Sequence, residues 1–324
     1  MTAPDVCVVV PLLNEGSFIR EALDSLMAQD YPNIQVVAFD GGSTDGTLDI
    51  LRSYPIQVVV EPGLGQMAAI NRGWRQTTAE FVTWMAGDDR LLPGALERLA
   101  RGLREHPNAG AVHADAVVID ERGAAVGHLR PGNIQLAELA FEFSLVPQTA
   151  LIRRAALARA GMFNEALRLS ADYDLFLRLA QYFPLQYLPF VAAEYRVHAG
   201  SQDAQNWPAV GAAAIEVVSS FFARPDITDQ QRRCQARGLA GAYLFAAVCC
   251  CLAGQRRAGW TLWWRATRLQ PQAAFTTRRG LGLMLRLLSP VTIGPYKLRA
   301  WWQRWSARAR RITPGTSAKK PSDS

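Results

Sequence analysis

Two short acidic runs hold the side chains in this chain best suited to chemistry. Asp40-Gly41-Gly42-Ser43-Thr44-Asp45-Gly46-Thr47 follows the apolar run Ile34 to Phe39, and Gly87-Asp88-Asp89 closes another, Phe81 to Ala86. In an open α/β sheet, carboxylates at the carboxyl ends of strands face the crevice where ligands bind. Adjacent hard oxygen donors suit Mg²⁺ or Mn²⁺, and such an ion neutralises a diphosphate. Together the runs predict an enzyme that holds a nucleoside diphosphate through a divalent metal.

Those carboxylates need a scaffold, and the chain up to residue 200 alternates strand and helix patterns. Val6 to Leu12 is an apolar run ended by Asn14-Glu15-Gly16, as expected of a central strand. Phe18 to Met27 has helical spacing and breaks at Asp30-Tyr31-Pro32. Strand Ile34–Phe39 precedes a helix opening at Ser43-Thr44-Asp45 and closing before Pro55. Strand Ile56–Val60, helix Gln66–Thr77, strand Phe81–Ala86 and helix Pro93–Glu105 extend the series. Strands separated by helices in this way predict an α/β fold with a mostly parallel sheet covered on both faces. Beyond His106-Pro107-Asn108 the expected elements are strands Ala111–Ile119 and Ala125–Leu129, helices Arg154–Ala160 and Asp172–Tyr182, and strands Leu185–Phe190 and Ala193–His198. From Trp207-Pro208 only helical signals remain, as far as Arg311. The expected division is a catalytic domain over residues 1–205, a helical basic region over 206–312 and a polar, disordered tail over 313–324.

The net charge of +7 conceals an asymmetry. Residues 1–223 hold 16 Lys and Arg against 25 Asp and Glu, whereas residues 224–324 hold 19 against 3. The basic part mixes Arg with Trp, as in Trp260-Thr261-Leu262-Trp263-Trp264-Arg265 and Leu298-Arg299-Ala300-Trp301-Trp302-Gln303-Arg304-Trp305. Indole rings favour the headgroup boundary and Arg is drawn to anionic lipid, so the expected partner is a membrane surface rather than nucleic acid. The other reading is a basic helical domain whose Trp residues form its own core. The apolar stretch Leu239 to Gly254 would reach about 24 Å as a helix, short of the ~30 Å hydrocarbon core, and is expected to be a buried helix. The five cysteines form no disulfide framework or Cys-x-x-Cys motif, and the N-terminus has no signal-peptide pattern. A reducing, cytoplasmic setting is expected.

The ordered set of motifs over about residues 5 to 200 resembles the family 2 inverting glycosyltransferases of the GT-A fold. Its markers are Val10-Pro11-Leu12-Leu13-Asn14-Glu15, Gln29-Asp30-Tyr31-Pro32, the Asp40–Thr47 run, Gly65-Gln66 with Ala69-Ile70-Asn71-Arg72-Gly73, and Trp84-Met85-Ala86-Gly87-Asp88-Asp89. Further on are Gln148-Thr149, Gly161-Met162-Phe163-Asn164-Glu165, Asp172-Tyr173-Asp174 and Tyr195-Arg196-Val197-His198. The resemblance implies transfer of a sugar from a nucleotide-diphosphate sugar, a UDP-sugar first, to a hydroxyl of a glycan or lipid-linked acceptor. The setting it suggests is the inner face of the cell membrane.

By that resemblance Pro11, Asn14, Glu15, Asp40, Asn71 and Asp88 bind the nucleotide, and Asp89 and His198 hold the Mg²⁺ or Mn²⁺ ion. Asp172 is the general base, with Asp174 its nearest rival, and Arg196 could balance diphosphate charge. Each assignment has a structural alternative. Asp40 could open an Asx turn, Asp88-Asp89 could cap the helix after Pro93, Asp172 could be a helix cap, and His198 could be structural. A nucleotidyltransferase would show a basic Gly-rich phosphate loop where Leu12-Leu13-Asn14-Glu15-Gly16 stands. A degenerate sugar-nucleotide-binding scaffold would not need Asp40, Asp88, Asp89 and Asp172 all retained.

Overall fold

The run Val6 to Leu12 contains no polar side chain, and in a computed structural model of the chain it forms a strand buried at every position, β1 (Val6–Leu12). Residues 5–198, 200–201, 206–276 and 283 are described. In chain order there follow α1 (Ile19–Met27), β2 (Ile34–Asp40), α2 (Thr47–Arg52), β3 (Gln57–Val60), α3 (Gln66–Gln76), β4 (Phe81–Trp84), β5 (Arg90–Leu91) and α4 (Ala95–Glu105). Then come β6 (Ala111–Ile119), β7 (Ala125–Leu129), α5 (Leu136–Phe141), β8 (Leu151–Arg153), α6 (Leu157–Ala160), α7 (Ala171–Tyr182) and β9 (Leu185–Arg196). The helices α8 (Trp207–Ala223), α9 (Asp229–Arg232), α10 (Gln235–Leu252), α11 (Arg256–Leu269) and α12 (Pro271–Thr276) complete the described chain.

The strands form one sheet in the order β3-β2-β1-β4-β8-β6-β9-β5, with β7 paired to β6. The β3-β2-β1-β4 half is parallel throughout, with Leu12 beside Asp40, so both strands release their loops at one edge. Strand β8 runs antiparallel to β4 and β6, while β6 and β9 are parallel. Alternate residues of β1 enter opposite cores, as strand geometry requires. Val6, Val8 and Val10 pack with α1 and α4, whereas Cys7 and Val9 pack with α3 and α7. Gly73 is the point of closest approach between α3 and β1, because a Cβ there would collide with Val9.

Several expected boundaries move. The segment expected as two strands is the single β9, in which the register against β6 jumps from Tyr187 to Val191. Pro189 lies in that irregular stretch, where its missing N–H removes no ladder bond. The helix expected from Ser43 begins at Thr47, because the preceding residues form a loop tied to the first strand's loop. Strand β4 ends at Trp84, two residues short of Ala86.

The later helices are packed onto this sheet domain. Val217, Val218, Phe221 and Phe222 of α8 share the core that holds Leu175 and Phe176 of α7. The stretch tested for membrane spanning is α10, and half of its most apolar window is buried in the protein. Gly241 on α10 admits the Phe141 carbonyl of α5, which a Cβ there would overlap. Trp263 and Ala266 of α11 pack on Leu244 and Ala247 of α10. The Leu298–Trp305 run and the polar end from Thr313 lie outside the described residues.

Candidate active site

The loop after β1 and the loop after β2 are closed on one another by side chain to backbone hydrogen bonds. Asn14 N donates to Ser43 Oγ at 2.8 Å, and Thr44 N donates back to Asn14 Oδ1 at 2.9 Å. Glu15 N donates to Thr47 Oγ1 at 2.9 Å and Gly16 N to Asp45 Oδ2 at 2.9 Å. Asn14 adopts φ 58°, a left-handed conformation that Asn tolerates better than most residues. Asp45 therefore serves the clamp: bonds from Thr47 and Gly16 hold its carboxyl below the usual range. This Ser43, Asp45, Thr47 clamp was not anticipated from sequence, where its residues signal only a turn and a helix cap.

Asp40 lies inside the clamp, buried at the end of β2, with Pro11 buried on β1 beside Phe39. Its Oδ1 accepts from Gly42 N at 2.9 Å and Ser43 N at 2.8 Å. Its Oδ2 is buried without a hydrogen-bond partner among the described residues. The Asx turn thus uses one oxygen of the carboxylate and leaves the other without a hydrogen-bond partner among the described residues.

The second acidic run is organised by Arg196. This guanidinium is 1% exposed and donates to the carbonyls of Asp88 (2.8 Å), Asp120 (3.2 Å) and Glu121 (3.3 Å), and to Glu21 Oε2 (2.6 Å). It also stacks over Phe18, 4.7 Å from the ring centre. Four of its five side-chain N–H groups are thus committed to protein, so Arg196 acts here as a structural anchor for the loop that carries Asp88. Its backbone N–H donates to Asp89 Oδ1 at 2.8 Å, leaving Asp89 Oδ2 buried with no hydrogen-bond partner among the described residues. Burial and the neighbouring Asp88 charge raise the Asp89 carboxyl well above the carboxylate range, with Arg196 and Gln148 pulling the other way. His198 Nε2 lies 3.0 Å from Asp88 Oδ2, and its ring tilts on Phe18 at 5.0 Å. His198, expected with Asp89 at the metal, lies against Asp88, while Asp89 accepts from the Arg196 backbone. No cluster of three or more His, Cys, Asp or Glu side chains is preassembled as a metal site among the described residues. The two carboxylates, with one bare oxygen, nevertheless fit Mg²⁺ or Mn²⁺, to which the imidazole would be a softer addition.

Asp172 occupies the first turn of α7, just after Ser170, whose φ of 56° is left-handed and whose side chain does not cap the helix. Asp172 Oδ1 accepts from Tyr173 N at 2.8 Å. Tyr173 OH donates to the Ala140 carbonyl at 2.6 Å, which fixes this end of α7 to α5. Asp174 is engaged by Arg178, whose Nε and Nη2 reach its Oδ2 at 2.9 and 2.7 Å. Asn71, expected among the nucleotide contacts, is buried and bonded to the loop that follows α6. It donates to Phe163 O (2.9 Å) and Glu165 Oε1 (2.8 Å) and accepts from Phe163 N (3.0 Å). That seats the Phe163 ring edge-on against Trp84 at 4.9 Å.

Glu15 meets this cluster from the other side. A Cβ on Gly87 would lie 3.0 Å from Glu15 Cγ, so the small residue lets the two loops meet. Burial first, then the charges of Asp88 and Asp45, push the Glu15 carboxyl up to about 7. The folded state therefore binds a proton that the unfolded chain releases near 4.5, and stability falls as pH rises from about 4.5 through about 7. With chelator present, Glu15→Gln is expected to remove a decline on the order of 1–2 kcal/mol, allowing for solvent screening. Urea unfolding of both proteins across that pH range measures it; parallel pH profiles would contradict the raised carboxyl.

A parallel half-sheet with this loop pair at its carboxyl edge, extended by a mixed half and covered by helices, is the GT-A architecture. The S. aureus TarS fragment 1–349 in complex with UDP-GlcNAc matches it with a TM-score of 0.66 at 16% identity, over 94% of this chain and 92% of that one. A mannosyltransferase from Pyrobaculum calidifontis, in complex with GDP-Man and Mn²⁺, matches with a TM-score of 0.61 at 19% identity, over 96% and 87%. Residues 7–160 match the model described as Glycosyl transferase family 2. Among curated relatives, an uncharacterized glycosyltransferase of Rickettsia felis is 28% identical over 63% of this chain and 36% of its own length. An uncharacterized glycosyltransferase of Rickettsia typhi is 27% identical over 60% of this chain and 65% of its own. The chain thus spans about a third to two thirds of the length of these Rickettsia relatives. A PGL/p-HBAD biosynthesis glycosyltransferase of Mycobacterium bovis is 27% identical over 62% of this chain and 80% of its own.

Proposed function

We propose that this chain is an inverting glycosyltransferase that uses a divalent cation and moves one sugar from a nucleoside-diphosphate sugar, a UDP-sugar first, to an acceptor hydroxyl. The observation that carries the reading is the pair of buried, unpartnered oxygens, Asp40 Oδ2 and Asp89 Oδ2. A buried carboxylate oxygen without a partner is costly, so each suits something supplied by a ligand. Asp40 Oδ2 suits the N–H of a pyrimidine base in the pocket bounded by Pro11, Asn14 and Glu15. Asp88 and His198, with Asp89 behind them, would hold Mg²⁺ or Mn²⁺, which when bound acts as a Lewis acid on the departing diphosphate. The neighbours bound to UDP-GlcNAc and to GDP-Man with Mn²⁺ support the same donor class.

Asp172 takes the proton from the acceptor hydroxyl as its oxygen forms a bond to the anomeric carbon. The bond from that carbon to the diphosphate oxygen breaks on the opposite face, its electron pair leaves with the nucleotide, and the configuration inverts. The rest is positioning: the clamped loops fix the donor, and the Tyr173 tie to α5 fixes the helix end that carries the base. The setting that best suits the basic C-terminal region is the cytoplasmic face of a membrane, in cell-envelope or lipid-linked glycan synthesis. The mycobacterial biosynthesis relative supports a role of that kind.

A thermal-shift comparison of UDP, GDP, dTDP and CMP, each with and without Mn²⁺, tests the reading. One diphosphate is expected to stabilise the protein only with the metal, by about 2.7 kcal/mol at a hundredfold excess over Kd. No response to any nucleotide would overturn it in favour of a scaffold without donor binding.

A further inference from the structure

We propose that the outer face of α11 and α12 docks on an anionic lipid bilayer, an inference that deepens the membrane setting given above. The inner face of α11, through Gly259, Trp263, Ala266 and Thr267, is buried, chiefly against α10. What remains outside is both apolar and basic. Trp264 is 57% exposed, Leu269 40% and Phe275 46%, three of the few large apolar side chains so exposed among the described residues. Arg257, Arg265 and Arg268 lie on the same exposed surface.

The spacing is that of one helical face, because positions 257, 261, 264, 265 and 268 recur at intervals of three and four residues. Trp264 is held from behind by Trp263, with ring centres 5.3 Å apart, and Phe275 packs edge-on to Trp263 at 5.3 Å. The exposed rings are therefore presented by a fixed support. Trp263, which could have been read as a membrane anchor, is the support itself.

Charge selects the occupant. No Asp or Glu occurs between Asp229 and Asp323, so every charged side chain on the face and in the chain beyond it, Asp323 aside, is positive. The chain's own last forty residues would repel this face, as would a second copy of it. An anionic bilayer attracts the arginines to its headgroups and accepts indole and phenyl rings at the boundary below them. Helix α10, the longest apolar helix described, takes no part, because none of its residues from Gly238 to Leu252 is fully exposed.

The test is flotation of the full-length protein with vesicles of phosphatidylcholine alone or with about a third phosphatidylglycerol, at low and high salt. Wild type is expected to float with the anionic vesicles only, and less at high salt. The double variants Trp264→Ala/Phe275→Ala and Arg257→Gln/Arg268→Gln are each expected to weaken binding on the order of tenfold or more. Both are expected to keep the wild-type nucleotide response, so loss of flotation is separable from failure of the donor-binding reading. The Trp264/Phe275 variant loses two ring contacts to Trp263 and is expected to melt somewhat lower while remaining folded. Unchanged flotation of both variants would overturn the proposal and place lipid binding elsewhere in the basic region. Equal flotation with neutral vesicles would overturn it too. So would a dimer dissociated by the same substitutions, or tight binding to a DNA oligonucleotide in place of vesicles.

Discussion

Asn in place of Asp172 is expected to lower turnover by about 10²–10⁴-fold while the nucleotide-dependent thermal shift stays as in wild type. The amide keeps the size and position of the side chain on the first turn of α7 but cannot take a proton from a hydroxyl. Asp174→Asn is the internal comparison. Asp174 shares a mostly buried ion pair with Arg178, which also donates to the Ala160 carbonyl at 2.5 Å. Its loss is expected to appear in the melting temperature and to leave the chemical step nearly unchanged. Initial rates at saturating donor, measured beside thermal melts, separate the two effects. A D172N enzyme with wild-type turnover would remove Asp172 from the role of base.

The second large effect is expected from Arg196. Arg196→Met should cost about 2–3 kcal/mol of unfolding free energy, chiefly from backbone carbonyls that lose a donor, and Arg196→Lys should recover little of it. Glu21 is about half exposed and can return to water when its partner goes. The carbonyls of Asp88, Asp120 and Glu121 are satisfied by a fork that a single ammonium does not match. Because the Asp88 carbonyl is one of those three, donor binding should weaken together with stability. Urea unfolding gives the first quantity and the UDP titration the second. A destabilisation below about 1 kcal/mol would mean that water replaces the fork without difficulty.

These two residues also show how far the sequence could be read. Strands buried on both faces are continuous apolar runs, so β1, β2 and β4 stood out, and with them the loops that present Asp40 and Asp88-Asp89. Strand β5 has two residues and β8 three, too few to display a period, although β8 joins the halves of the sheet. Arg196 looked like a phosphate ligand because an isolated cation beside a catalytic domain invites that reading. Its partners at Glu21, Asp88 and Asp120 lie far apart in sequence, and only the closed fold brings them together. The Asn71 bonds were hidden in the same way, since the loop it pins lies about ninety residues downstream. Gly241 gave no signal of its own, because the carbonyl it admits belongs to a helix that sequence patterning did not reveal.

The clasp between the loops after β1 and β2 has a thermodynamic consequence. Asn14, Glu15 and Gly16 are already bonded to Ser43, Asp45 and Thr47 in the protein alone. On the proposed reading, a nucleotide arriving there would have little backbone left to order, so the entropic penalty that accompanies binding to a mobile loop would be largely absent. Discrimination between bases would then rest on the fit of a rigid cradle, and adaptability would be left to whatever part of the protein receives the proposed acceptor.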